Sequence, residues 1–257
     1  MPAISPLAIV ETSAPIPDDV RIGPFSYIGA EVQIGPGCII DNNVTIVGRT
    51  TLGAKNHIFP MAVIGTTEDG SEAGECYIGE ANAIREHVTI YAGANKATRI
   101  GNDNLIMIAS QIGPGATVGD HGIFDNLTQI GPGSRIEDYV RTGAYSFIDP
   151  DVTVGAYTFT VAYVRVNRNA PPFATIQGSP FRVRGVNAEN LRRCGFGDDD
   201  IRALKNAFRE LFNDTNGPCD AGVIRRLKKL AGTNPHVMQL IQSIKPEARQ
   251  VEAQDNA

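Results

Sequence analysis

Ile112-Gly113-Pro114-Gly115-Ala116-Thr117-Val118-Gly119-Asp120-His121-Gly122-Ile123-Phe124-Asp125-Asn126-Leu127-Thr128-Gln129-Ile130-Gly131-Pro132-Gly133 places a large apolar residue at every sixth position: Ile112, Val118, Phe124 and Ile130. The same register extends outward. Upstream it runs from Ile4 to Ile64, then resumes with Ile78, Ile84 and Ile90. From Ile100 it continues to Val166, with Thr142 and Thr160 taking two of the steps. Neither the 3.6-residue period of a helix nor the two-residue period of a strand explains this spacing. A six-residue repeat reads as a parallel β-solenoid, one hexad giving a short strand and a corner. Three hexads close a triangular coil of about 18 residues. Gly, Asn and Asp at the corners tolerate positive φ. With coils stacked about 4.8 Å apart, eight or nine coils make a prism about 40 Å long.

The repeat is interrupted twice, by insertions near residues 66–77 and 91–99, and it stops near Val166. Residues 167–172 form a Pro- and Asn-rich exit. From Val186 the pattern is helical. Asp198, Asp199 and Asp200 can cap and charge a helix start, and Ile201, Leu204, Ala207, Phe208, Leu211 and Phe212 follow at helical spacing. A turn at Asn216-Gly217-Pro218, a basic amphipathic stretch over 223–230 and a last helix over 236–244 complete the expectation. The domains are therefore residues 1–185, a solenoid, and 186–245, a helical unit covering one open end; residues 246–257 are expected to be a disordered tail.

The chain has 257 residues and a net charge of −5, which argues against nucleic acid as a partner. Arg182, Arg184, Arg192 and Arg193 form a local basic cluster that could attract phosphate or an acidic carrier protein. Cys38, Cys76, Cys194 and Cys219 have no metal-ligand spacing, so free thiols are expected, with no metal and no cofactor. There is no signal peptide pattern and no run of about 20 apolar residues, so no membrane span and a cytoplasmic setting are expected.

Three segments carry a more specific resemblance. They are Ile84-Arg85-Glu86 with Val88-Thr89-Ile90, residues 98–107 (TRIGNDNLIM), and Gly185-Val186-Asn187 through Leu191, Arg193, Gly195 and Phe196. With the two insertions, they make the chain resemble the UDP-N-acetylglucosamine O-acyltransferase family of lipid A synthesis. The resemblance implies a left-handed parallel β-helix with a small α-helical C-terminal domain, assembled as a homotrimer with sites between neighbouring solenoids. It also implies transfer of a 3-hydroxyacyl group from acyl carrier protein to a UDP-sugar hydroxyl, with histidine as the base. Imidazole suits that role because it accepts a proton near neutral pH. On the nucleotide side, Asp69, Asn187, Glu189 and Arg193 match the family's ligand-binding positions. Ser71 replaces a family Lys, and Cys194 replaces the Arg that follows Arg193. Ala162 falls on a position that sets acyl-chain length, where long-chain enzymes commonly carry Gly.

The catalytic side departs from the family. His-Ile-Ala-His-Asp in the family is Gln111-Ile112-Gly113-Pro114-Gly115 here, so the base position is Pro114 and its neighbour Gly115. Further family histidines fall on Gly133, Asp149 and Tyr91. Pro has no titratable side chain. The remaining histidines are His57, His87, His121 and His236. His121 lies seven residues after Pro114, about one face away, and so is expected at another corner. Asp149 could hydrogen-bond a sugar or simply complete a turn; Asp125 is a further carboxylate, and Asn126 reads as an internal corner. Tyr157, Phe159, Tyr163 and Arg165 are bulky for a long acyl groove. Three functions stay open. The favoured one is a catalytically silent relative that keeps part of a UDP-sugar site for binding or regulation. The second is an active O- or N-acyltransferase with another base, His121 or Asp149. The third is a solenoid used only as an interaction surface.

Overall fold

A computed structural model describes residues 1–68, 74–212, 224, 225, 227–229, 232 and 234–244. The hexads form a left-handed parallel β-helix whose three faces are sheets of eleven, nine and seven strands. Most strands are two residues long: one side chain points out and the next, the hexad residue, points in. Coils stack in register at 18 residues, as in Ile40↔Ile58 and Ile112↔Ile130. The two insertions stretch this offset, so that Ile58 pairs with Ile84 and Ile84 with Ile106. The first insertion lies between strands Val63–Thr66 and Glu75–Ile78, the second between Thr89–Tyr91 and Thr98–Ile100.

The hexad residues from Ile22 to Val166 are buried and make one continuous column. At the first coil the column opens: Ile4 is exposed, and Leu7 and Ile9 stand beside it in solvent. Phe124 fills the column only because Gly122 leaves room; a Cβ there would lie 2.6 Å from the ring. Thr142 and Thr160 occupy apolar positions by pairing their hydroxyls, at 2.7 Å, with Thr128 and Ser146.

From Asp103 to Tyr163 each corner contains one residue in the left-handed region, six residues from the next. Many are large: His121, Tyr139, Tyr157 and Phe173 have φ of 58–64°. The coil below compensates this strain, because each such N–H donates to a carbonyl there: His121 to Asn102 at 2.9 Å, Tyr139 to Asp120 at 2.8 Å. Their rings stack into a ladder along one edge, with centroids 4.6, 4.8 and 5.7 Å apart. Beneath that edge, buried Asn56, Asn82 and Asn104 form a second ladder. Asn82 N–H donates to Asn56 Oδ1 and Asn104 N–H to Asn82 Oδ1, both at 2.9 Å. Replacing Asn82 by Ala leaves the buried Asn104 N–H without its acceptor, a loss of about 1–3 kcal/mol. For a chain of this size the melting temperature should fall by about 3–10 °C in calorimetry.

Beyond Val166 the structure departs from the sequence reading. Strand Ala174–Gln177 adds to the eleven-stranded face, and Arg182–Val186 turns back against it in antiparallel fashion. Helices follow: α1, Ala188–Arg193; α2, Asp198–Leu211; and α3, Pro235–Ser243; residues 224, 225 and 227–229 are helical as well. The cap of α2 is Gly197, and no side chain bonds its first N–H groups. Asp198, Asp199 and Asp200 therefore act through charge in the first turn, not as caps. α3 starts one residue earlier than the periodicity indicates, since Asn234 caps it at His236 N and Val237 N and Pro235 takes the first helical position. The helices close onto the last coils through Phe196 and His236, which pack on Tyr157 and Phe173. The turn at Asn216-Gly217-Pro218, residues 223, 226 and 230 of the basic stretch and the tail from Lys245 lie outside the described residues.

Candidate functional site

Pro114 and Gly115 form the corner between strands Gln111–Ile112 and Thr117–Val118. Gly115 has φ of 71° and is buried; its N–H donates to Thr98 Oγ1 at 2.9 Å, and that hydroxyl donates to Tyr91 O at 2.6 Å. The second insertion is thereby clamped onto the corner. Gly93 lies so close to Lys96 O and Gly115 N that a Cβ there would overlap both. One coil up, Gly133 N–H donates to Pro114 O at 3.0 Å. A side chain at Gly115 would meet Lys96, and one at Gly133 would meet the Asp151 carboxylate. An ammonium has no lone pair with which to take a proton.

The two alternative bases lie elsewhere. His121 is on the next corner, as its spacing implies, with its ring on Tyr139 and Nδ1 3.9 Å from Asp103 Oδ2. Asp149 grips Arg165 with both oxygens, at 2.9 Å to Nε and 3.1 Å to Nη2. That hydrogen bond raises the Arg165 pKa. Asp125 Oδ1 accepts the Asn126 N–H at 2.7 Å, whereas Asn126 Oδ1 is buried without a partner.

Three of the residues expected on the nucleotide side lie at or in α1. Asn187 precedes α1 and is buried; its N–H donates to Phe173 O and its Nδ2 to Tyr157 O, at 2.8 and 2.9 Å. Glu189 and Arg193 pair on the exposed face of α1. Asp69 and Ser71 lie outside the described residues. Ala162 is half-buried at a third corner, beside Tyr163, whose exposed ring stacks on Tyr145 at 5.1 Å. The bulky acyl-groove candidates disperse: Tyr157 joins the ring ladder, Phe159 sits on the eleven-stranded face, and Arg165 is held by Asp149. An open cleft of about 440 Å³ lies on the seven-stranded face, lined by Thr51, Tyr77, Arg99, Asn102 and Asp120 among others, and none of the described candidates lines it.

Sequence reasoning missed one cluster. His57 Nε2 is 2.9 Å from Asp41 Oδ2, and its ring stacks on Phe59 at 3.9 Å. The Arg85 guanidinium covers Phe59 at 4.5 Å and binds Glu86, whose pKa that hydrogen bond lowers. Cys38, Cys76 and Cys194 are free; burial pushes the Cys76 thiol up to about 12. Cys219 lies outside the described residues. Among the described residues no three His, Cys, Asp or Glu side chains form a metal cluster, and no helix is long and apolar enough to cross a membrane.

Residues 170–251 match the family profile described as UDP-N-acetylglucosamine O-acyltransferase, domain 2, and residues 16–48 match the bacterial transferase hexapeptide profile. An acyl-[acyl-carrier-protein]–UDP-N-acetylglucosamine O-acyltransferase of Saccharophagus degradans is 37% identical over 97% of this chain and 98% of its own. The chain belongs to the UDP-N-acetylglucosamine O-acyltransferase family. A second member, from Stutzerimonas stutzeri, is 32% identical over the same shares. The crystal structure of the UDP-N-acetylglucosamine O-acyltransferase of Moraxella catarrhalis superposes with a TM-score of 0.86 at 31% identity, covering 94% of this chain and 96% of that one. The Acinetobacter baumannii protein gives 0.87 at 31% identity with the same coverage. Membership in this acyltransferase family makes the composition of the Pro114 corner the question on which function turns.

Proposed function

We propose that this chain binds a UDP-sugar in the manner of its family but lacks the family's hydroxyl-acylating step, serving a binding or regulatory role. The observation that carries this reading is the Pro114-Gly115 corner, which offers no proton acceptor on its side chains. A sugar hydroxyl is a poor nucleophile without a positioned base, and such a base supplies about 10²–10⁴ in rate. Asp149 is occupied by Arg165, and His121 is stacked at another corner. In this reading Asp69, Glu189 and Arg193 contact the ligand, and Asn187 sets the helix that carries two of them. The assembly is a homotrimer, with each site completed by a neighbour, and the setting is cytoplasmic.

Titration calorimetry with UDP-N-acetylglucosamine tests the retained site. The parent protein should bind, and Arg193→Ala should weaken binding at least about tenfold, since a charge-assisted hydrogen bond contributes about 1.5–3 kcal/mol. No binding by folded protein would leave the solenoid surface alone as the functional element. A second reading, acyl transfer with a relocated base, has the His57–Asp41 pair in its favour, because a carboxylate orients an imidazole. Acyl transfer by the parent that is lost in His57→Ala would establish it.

A further inference from the structure

The open cleft on the seven-stranded face has a cause in the sequence. In four successive coils the residue after the buried aliphatic is glycine: Gly53, Gly79, Gly101 and Gly119. A Cβ on Gly53, Gly79 or Gly101 would lie 2.6, 2.7 and 2.6 Å from the carbonyl oxygen of the next glycine in the stack. The row therefore stays free of side chains and floors a trough across four coils, about 14 Å at one strand spacing each. This floor offers a ligand no hydrogen bond. Its N–H groups donate to the adjoining coil, and its four carbonyls accept from Nδ2 of Asn56, Asn82 and Asn104 beneath, at 2.7–2.9 Å.

The banks are polar and opposite in charge. On one, the Arg99 guanidinium stacks on the Tyr77 ring at 4.4 Å, which orders its plane and leaves its N–H edge open. Among the described residues it has no carboxylate partner; Glu75, beside Tyr77, is bonded to Tyr77 Oη at 3.3 Å and to Arg49 at 3.6 Å. On the other bank, Asp120 Oδ1 accepts from Asn102 N–H and Nδ2, at 2.7 and 3.1 Å. Asp120 Oδ2 has no partner among the described residues, and the side chain is half-buried. Tyr77, Arg99, Asn102 and Asp120 all line the one cleft of about 440 Å³.

We infer that this trough binds a carboxylate-bearing saccharide, with Arg99 holding the carboxylate and Asp120 accepting from hydroxyls. A phosphate dianion would face the Asp120 charge, and a neutral sugar would leave the guanidinium unmatched. An acidic sugar meets both banks: two carboxylate oxygens fit the N–H fork, hydroxyls donate to Asp120 Oδ2, and the C–H face of the ring rests on the glycine floor. Neither the Pro114 corner nor α1 lines the trough, so the inference is independent of the UDP-sugar reading.

The test is titration calorimetry of the full-length protein with digalacturonate, maltose and inorganic phosphate. The parent should bind digalacturonate, with maltose and phosphate weaker by about tenfold or more. Arg99→Met keeps the apolar stem and removes the fork; it should raise the Kd for digalacturonate about tenfold or more, with an unchanged melting temperature. Asp120→Asn keeps an oxygen for Asn102 while removing the charge, and should shift the preference toward phosphate by about tenfold. Four results would each overturn the assignment: no digalacturonate binding by the folded parent, maltose or phosphate bound by it as tightly, undiminished binding by Arg99→Met, or an unchanged preference in Asp120→Asn.

Discussion

The Pro114→His/Gly115→Asp double variant should transfer acyl groups about 10²–10⁴ times faster than the parent protein, the contribution of one positioned general base. The corner can accept both changes. Gly115 has φ of 71°, and Asp tolerates that region; Asp103 and Asp151 already adopt it at other corners of this chain. A Cβ at Gly115 meets Lys96 O at 3.2 Å, so the insertion must yield by a few tenths of an ångström. The bond from Gly133 N–H to the carbonyl of residue 114 survives, because it uses the main chain. Single-turnover mass spectrometry with UDP-N-acetylglucosamine and 3-hydroxyacyl carrier protein reads the outcome. A folded double variant no faster than the parent would mean that the missing base is not what separates this chain from an active enzyme.

Gly93→Ala should be among the most damaging single methyl additions near the site. Its Cβ would overlap the Lys96 carbonyl and stand 2.6 Å from Gly115 N. Both are backbone atoms, so no rotamer change relieves the clash. The insertion must lift, breaking the bond from Gly115 N–H to Thr98 Oγ1. Overpacking of this kind costs about 1–3 kcal/mol, and the lost buried bond about 1–3 kcal/mol more. The expected readouts are a fall in melting temperature of about 5–15 °C and faster hydrogen exchange at Gly115. An unchanged exchange rate at Gly115 would show that the insertion is not clamped to the corner. Because Gly93 lies outside the expected ligand contacts, any loss of UDP-sugar binding in this variant reports on corner geometry.

The solenoid was legible because one constraint is repeated in every hexad: the inward residue must be apolar and must stack on its equivalent 18 residues away. Both insertions appear in the same way, as breaks in that register. The return strand Arg182–Val186 left no such trace, since it runs antiparallel and obeys no six-residue rule. The α2 cap was misread because three aspartates look like caps, whereas the chain enters the helix through Gly197. Outward-facing pairs follow a diagonal that the coil period hides. Glu11–Tyr27, Asp41–His57 and Asp149–Arg165 are each 16 residues apart, two short of a full turn. With that rule, the Asp149 partner and the His57 cluster could have been found from sequence.

That position 114 is where a base would stand is an expectation of the family resemblance alone; as bare sequence, Ile-Gly-Pro-Gly is another corner, and it recurs at Ile34 and Ile130. The structure adds what borders it. The second insertion is tied to it through Thr98, and the Gly133 corner with Asp151 stands one coil up. His57 is the remaining histidine paired to a carboxylate within hydrogen-bonding distance, and it lies on another face and a lower coil.

The most direct test of the central claim is acyl transfer by the unmodified protein. Purified protein is incubated with UDP-N-acetylglucosamine and 3-hydroxyacyl carrier proteins of several chain lengths, and the product is detected by mass spectrometry. The account predicts no acylated UDP-sugar above the enzyme-free rate, from protein that is folded and binds the nucleotide sugar. Product well above that rate would contradict it and would mean that this chain has placed its base somewhere other than position 114.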